Sequence, residues 1–325
     1  MSQSDLPRPR RRRRLRTAAG LCVLLALVGY LVVRFESLGG GGAPHCTASD
    51  LAGDAPGGDS RRTYDMTPEQ AANAATIAAV GVAKGLPDRA VTIALATAMQ
   101  ESALRNLDHG DRDSLGLFQQ RPSQGWGTPE QIRDPVYSAG IFYDRLVKVK
   151  GYSRLPLTEA AQKVQLSGYP QAYAKHEPDA TVLTAAFAGA GELTCGGPAP
   201  TDPGDPQKVR AELNRIFAGG GLHISPAEPS RTGEAAGPGP LKEPEVTVVE
   251  KRDGGEPAVR GSRAIAGWAV ANARGMNIVR VSYDQRGWIA GEKKGRWQEK
   301  GGPGKSGDGD PRNAAPGEIR IFVKG

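Results

Sequence analysis

Glu101 is the residue whose position most invites chemistry. It ends an apolar stretch, VTIALATAMQ, in which Val91 to Met99 carry no charge. A carboxylate leaving such a helix is partly desolvated, and desolvation raises its pKa toward the range where a general acid works near neutral pH. A glutamate at a helix C-terminus also opposes the helix dipole, a local conflict of the kind found at functional positions. The next segment, LRNLDHGDRDSLGLFQQ over 104–120, passes through a polar loop with Asp108, His109, Asp111 and Asp113. It then reaches Ser114, Gly116 and Gln119. Cleaving a glycosidic bond requires an acid beside a cleft, with amides and hydroxyls to hold the sugar. The stretch 104–120, with Ser114 and Gln119, supplies such groups within about 20 residues of Glu101. The loop aspartates are candidates for an auxiliary carboxylate or, as is commoner, for turn residues. The four histidines are scattered, so no metal site is expected.

The elements that must position these residues are mostly helical. Thr67-Pro68-Glu69-Gln70 is a capping box with Pro at the first helical position, and the Ala-rich helix it starts stops near Lys84-Gly85. A second helix runs from Pro87-Asp88 through VTIALATAMQES. Thr128-Pro129-Glu130-Gln131 repeats the box, and Asp134-Pro135 opens a helix to about Val149 with Ile141, Phe142 and Leu146 on its apolar face. Further helical runs lie around 157–166 and 180–188. No strong alternating run stands out in this region, although Gly116–Gln120 could form part of a short hairpin. A small, mainly α domain is therefore expected over 63–195. Residues 196–244 form a Pro/Gly-rich linker holding one short amphipathic helix, QKVRAELNRIF. Residues 245–325 predict a small α+β domain: a helix over RAIAGWAVANARG, then strands in NIVRVSYDQ, RGWIAG, GRWQEK and EIRIFVK.

Composition sets the outer frame. The chain has 325 residues, and Gly (44) and Pro (25) make up about a fifth of it, which points to linkers. The net charge is +7, but seven arginines within residues 1–16 account for nearly all of it. The basic balance therefore reports a tail and not a nucleic-acid-binding surface. An uncharged run over 17–33 follows, long enough for a membrane helix, and the arginines before it place the N-terminus in the cytoplasm. Residues 1–16 thus predict a cytoplasmic tail, 17–34 a single-pass anchor, and 35–62 a Gly-rich spacer carrying the bulk of the chain outside the cytoplasm. A cleaved signal peptide is the alternative. Of three cysteines, Cys22 lies in the anchor. Cys46 and Cys195 bracket the helical domain on the oxidising side, and a disulfide between them is expected.

Gln100-Glu101-Ser102 followed by Ser114-Leu115-Gly116-Leu117-Phe118-Gln119 resembles the first two motifs of the lysozyme-like superfamily, specifically soluble lytic transglycosylases and goose-type lysozymes. The resemblance covers about 65–195, and the layout is similar to that of actinobacterial membrane-anchored lysozyme-like proteins. It implies cleavage of peptidoglycan between N-acetylmuramic acid and N-acetylglucosamine, with Glu101 as general acid and then base and no cofactor. It also implies that Ser102 supports the site, that Gly116 lets the glycan approach the backbone, and that Gln119 binds sugar. The family's third motif, Ala-Tyr-Asn, finds its best match in Ala186-Phe187-Ala188, which loses a hydroxyl and an amide. Phe187 is carried over as a binding residue on that match. Ser114 and Trp126 are further binding candidates, and Tyr169 and Tyr173 either line the cleft or pack. The altered third motif leaves a competing expectation: a catalytically degenerate, membrane-anchored peptidoglycan-binding or scaffold protein. Residues 245–325 are the candidate surface for an envelope protein partner.

Overall fold

Helices that are apolar on every side belong at the centre of a fold, and two such helices organise this one. The computed structural model describes residues 43–50, 62–167, 170–217, 222–224, 244–250, 256–292, 295–299, 314 and 317–325. The chain opens with β1 (His45–Ser49) and β2 (Thr63–Met66), then enters the two central helices, α1 (Pro68–Ala83) and α2 (Asp88–Ser102). In α1 every residue from Asn73 to Gly81 is buried, and in α2 every residue from Ala90 to Met99. Next come α3 (Pro129–Ile132), α4 (Pro135–Leu146), α5 (Leu157–Gln165), a 3-10 helix (Pro170–His176) and α6 (Glu177–Ala188). The remainder is β3 (Glu192–Gly196), α7 (Pro206–Phe217), β4 (Leu222–Ile224), β5 (Glu245–Glu250), α8 (Glu256–Ala271), α9 (Ala273–Met276), β6 (Ile278–Tyr283), β7 (Arg286–Ile289), β8 (Gln298–Glu299) and β9 (Glu318–Val323). The fold is mixed α and β.

Both expected capping boxes form. The Thr67 and Thr128 hydroxyls accept from the backbone N–H of Gln70 and Gln131, whose side chains return the bond to the cap backbone. Asp134 caps α4 through Val136 N–H. The strands of the first half are a correction. His45–Ser49, assigned from sequence to the spacer, is the middle strand of an antiparallel sheet in the order β2-β1-β3. Cys46 faces Cys195 across the β1–β3 pair, and the two form a disulfide. Closing a loop of this length stabilises by about 4–5 kcal/mol in the chain-entropy view. These strands are four or five residues long, and the pairing that makes them strands crosses most of the domain, so no local alternation announces them.

The second sheet is antiparallel in the order β4-β5-β9-β6-β7-β8, with the last strand of the chain near its middle. Helix α8 lies between this sheet and the helical core, packing on β6 at one side and on α1 and α6 at the other. Its buried Ile265, Trp268 and Ala269 belong to the same hydrophobic cluster as Ile77 and Phe187. Residues 42–325 form one compact unit, so the segments on either side of 196–244 share a single core. No helix among the described residues is long and apolar enough to cross a membrane. The expected tail, anchor and Cys22 lie outside the described residues, as does Tyr169.

Candidate functional site

Helix α2 delivers Glu101 one residue before it stops. The stop is sharp: Ala103 and Leu104 both adopt left-handed conformations, φ 52° and 60°, without being glycine. The Ala103 and Leu104 N–H groups close back on Met99 and Ala98 carbonyls, as in a Schellman-type ending. Left-handed backbone costs a non-glycine residue about 1–2 kcal/mol, and α1 holds the elbow in place. Gln70 Nε2 donates to the Ala103 carbonyl (3.0 Å) and the buried Asn73 donates to that of Leu104 (2.8 Å). Glu101 is thereby fixed in direction by its neighbour helix.

The carboxylate is half-buried. Tyr173, wholly buried in the 3-10 helix, donates its hydroxyl to Glu101 Oε1 at 2.6 Å. The Gln165 side chain, at the end of α5, is also hydrogen-bonded to Glu101, and its Nε2 donates to the Phe118 carbonyl at 2.7 Å. Burial pushes the Glu101 pKa above the ordinary carboxylate value, and the bonds from Tyr173 and Gln165 hold it back in part. Tyr173 itself is pushed up by burial and by the neighbouring carboxylate. Next to Glu101, the Gln100 side chain meets His176 at 3.1 Å, which joins the end of α2 to the start of α6.

The second-motif loop is tied to the end of α2 through Ser102, the residue after Glu101. Ser102 Oγ lies 2.8 Å from the Leu117 carbonyl and 3.0 Å from that of Ala98, so its one proton serves either. Ser114 donates to Gln119 Oε1 (3.0 Å), and Gln119 Nε2 donates to the Gly116 carbonyl (3.1 Å). Gly116 has φ 74°, and a Cβ there would stand 2.6 Å from the Ile132 carbonyl. Leu115 and Gln120 close the expected hairpin as a single bridge. Phe118 stacks on Phe142 of α4, centroids 4.6 Å apart.

The expected roles divide. Glu101, Ser102 and the Ser114–Gln119 loop are brought together. Ser102, Ser114 and Gly116 are buried: Ser102 ties the loop to the helix, the supporting role expected of it, while Ser114 and Gly116 shape the loop in place of the expected contact with sugar. Gln119 is engaged with its own loop. Trp126 is 4% exposed, with the Arg145 guanidinium 3.4 Å over its ring, so it has no open face for a sugar. Phe187 is 1% exposed in the shared core. The segment Ala186–Gly189 does not reach Glu101: Thr184, just before it, bonds Thr92 (2.9 Å), which lies about 13 Å along α2 from Glu101 at 1.5 Å per residue. The aromatic hydroxyl at Glu101 comes instead from Tyr173. Of the loop aspartates, Asp113 is engaged by Arg121 (2.6 Å) and the Ser123 N–H (2.9 Å), which depress its pKa. Asp108 and Asp111 point largely into solvent. Among the described residues no group of His, Cys, Asp and Glu is arranged to hold a metal.

A scan against protein-family models gives no matching model, and a search of curated proteins gives no match. The resemblance to lysozyme-like enzymes therefore rests on the residues themselves.

Proposed function

We propose that this chain cleaves the glycan strands of peptidoglycan as a lytic transglycosylase, with Glu101 as its acid and base. The observation that carries this reading is the Glu101–Tyr173 pair: a half-buried carboxylate with a raised pKa, held at 2.6 Å by a phenol beside the Ser114–Gln119 loop. A protonated Glu101 would donate to the glycosidic oxygen as the bond to the sugar breaks. The resulting carboxylate would then take the proton of the muramoyl 6-hydroxyl as that oxygen closes a 1,6-anhydro ring. This route requires no second carboxylate, in keeping with the engaged Asp113 and the outward Asp108 and Asp111. Tyr173 supplies the ring hydroxyl that Phe187 lacks, which favours an enzyme over a degenerate scaffold. The Cys46–Cys195 disulfide fits a domain outside the cytoplasm, carried by an anchor at 17–34, with residues 245–325 available to an envelope partner.

The test is digestion of purified peptidoglycan by the wild-type chain and by Glu101→Gln, with released fragments identified by mass spectrometry. Anhydro-muropeptides from the wild type alone are expected. Reducing-end products would replace the transglycosylase with a hydrolase. Wall binding without release would return the scaffold reading.

A further inference from the structure

The end of α5 carries Gln165, Leu166 and Ser167 past Glu101. Gln165 reaches the Glu101 carboxylate, and Ser167 is hydrogen-bonded to Tyr173, the phenol that donates to that carboxylate. Leu166 stands between them and is 80% exposed, more than any other large apolar side chain among the described residues. It caps the helix with φ 54°, a left-handed backbone that is costly for leucine. Neither packing nor the helix stop calls for leucine here, since glycine would end the helix without that cost. Strain held in an exposed side chain beside an acid points to a contact made outside the chain. Leu166 already lies in open solvent, so such a contact needs no cavity to be opened.

The Gln165 amide decides the ligand class. A bond that lowers a carboxylate pKa is one that the carboxylate accepts, so Gln165 Nε2 donates to Glu101 as well as to the Phe118 carbonyl at 2.7 Å. Both amide protons are then engaged, which fixes the orientation of the group. Its Oε1 accepts from no group among the described residues and is not sealed from solvent. A fixed acceptor therefore lies beside the acid, and the next residue offers an exposed apolar side chain. A sugar hydroxyl would use the acceptor alone. An acetamido group uses both, its N–H on the oxygen and its methyl on the leucine. We propose, on the reading of Glu101 as the acid of a glycan site, that Gln165 and Leu166 recognise the acetamido group of the bound sugar and so select N-acetylated amino sugars over plain glucans.

The test is calorimetric titration of the full chain with chitotetraose and with cellotetraose. These are neutral β-1,4-linked oligomers that differ in carrying an acetamido group or a hydroxyl on the second carbon of each ring. Wild type is expected to bind chitotetraose about tenfold more tightly. Leu166→Gly is expected to cut that preference about fourfold, the worth of one buried methyl group, while melting at or above the wild-type temperature because the left-handed strain is gone. Gln165→Met should lose the preference as well, and Leu166→Gly keeps the question open to refutation if that variant fails to fold. Equal affinity of wild type for the two oligomers, a preference that Leu166→Gly leaves intact whatever its absolute affinity, or no binding of either oligomer would each overturn the proposal. A preference for chitotetraose without release of anhydro-muropeptides from peptidoglycan would keep this recognition and remove the cleavage. Release without the preference would do the reverse.

Discussion

At the scale of single residues, the Glu101 carboxylate is shaped by opposing effects: burial raises its pKa, and Tyr173 and Gln165 lower it. Removing the Tyr173 hydroxyl leaves burial less opposed. Tyr173→Phe should therefore move the alkaline limb of the pH–rate profile, where the protonated acid is lost, to higher pH, alongside a fall in kcat. A limb that stays in place would show that the bond does not tune Glu101. The same shift bears on stability. A raised folded pKa means that the group's favourable contribution is complete below the unfolded value, about 4.3, and is lost as pH rises through the folded value. Ionised Glu101 is thus a cost at neutral pH. Glu101→Gln, which keeps an acceptor for Tyr173, should melt higher than wild type at pH 7, with the gap closing below about pH 4. A gap independent of pH would contradict this account. Glu101 was legible in the sequence because the uncharged run before it is local. Tyr173 was visible only as an aromatic that either lined a cleft or packed, and Gln165 carried no signal, because each meets Glu101 through a contact some 64–72 residues long that only the fold creates.

At the scale of elements, the elbow after α2 joins the site to the scaffold. Ala103 is exposed and sits at φ 52°, so its methyl group adds strain without adding packing. Ala103→Gly should stabilise the chain by about 1 kcal/mol, read as a shift in denaturation midpoint. A loss of stability would mean that the elbow is not strained. Helices and their caps were legible because Thr-Pro-Glu-Gln carries its own hydrogen-bonding logic within four residues. The three-stranded sheet was not, since β1 becomes a strand only beside β2 and a β3 that lies about 150 residues away. The loop glycine is a related case. Gly116 was expected to face the glycan, yet its positive φ and the Ile132 carbonyl explain it fully, and only the packing of α3 distinguishes the two reasons.

At the scale of the whole molecule, α1 is apolar all round and needs cover on every side. Helices α2, α4 and α6 cover part of it, and α8, from beyond the Pro/Gly-rich stretch, covers another part. Arg260 of α8 reinforces this seam by donating to the Leu86 carbonyl (2.6 Å) and pairing with Asp88 (2.6 Å), at the turn where α1 gives way to α2. The sequence marks 196–244 by composition alone, and composition cannot tell a linker between separate bodies from a connection across one core. The contacts favour the second. A chain ending at residue 244 would uncover the α1 and α6 faces that Ile265, Trp268 and Ala269 now bury. Each large apolar side chain lost from such an interface is worth about 1.5–3 kcal/mol, and whole domains are stable by only about 5–15 kcal/mol. The truncated chain should therefore lose its cooperative thermal transition and bind a hydrophobic dye, even with Cys46 and Cys195 joined. A cooperative transition within a few degrees of the full chain would mean that residues 63–195 hold the Glu101 site without α8.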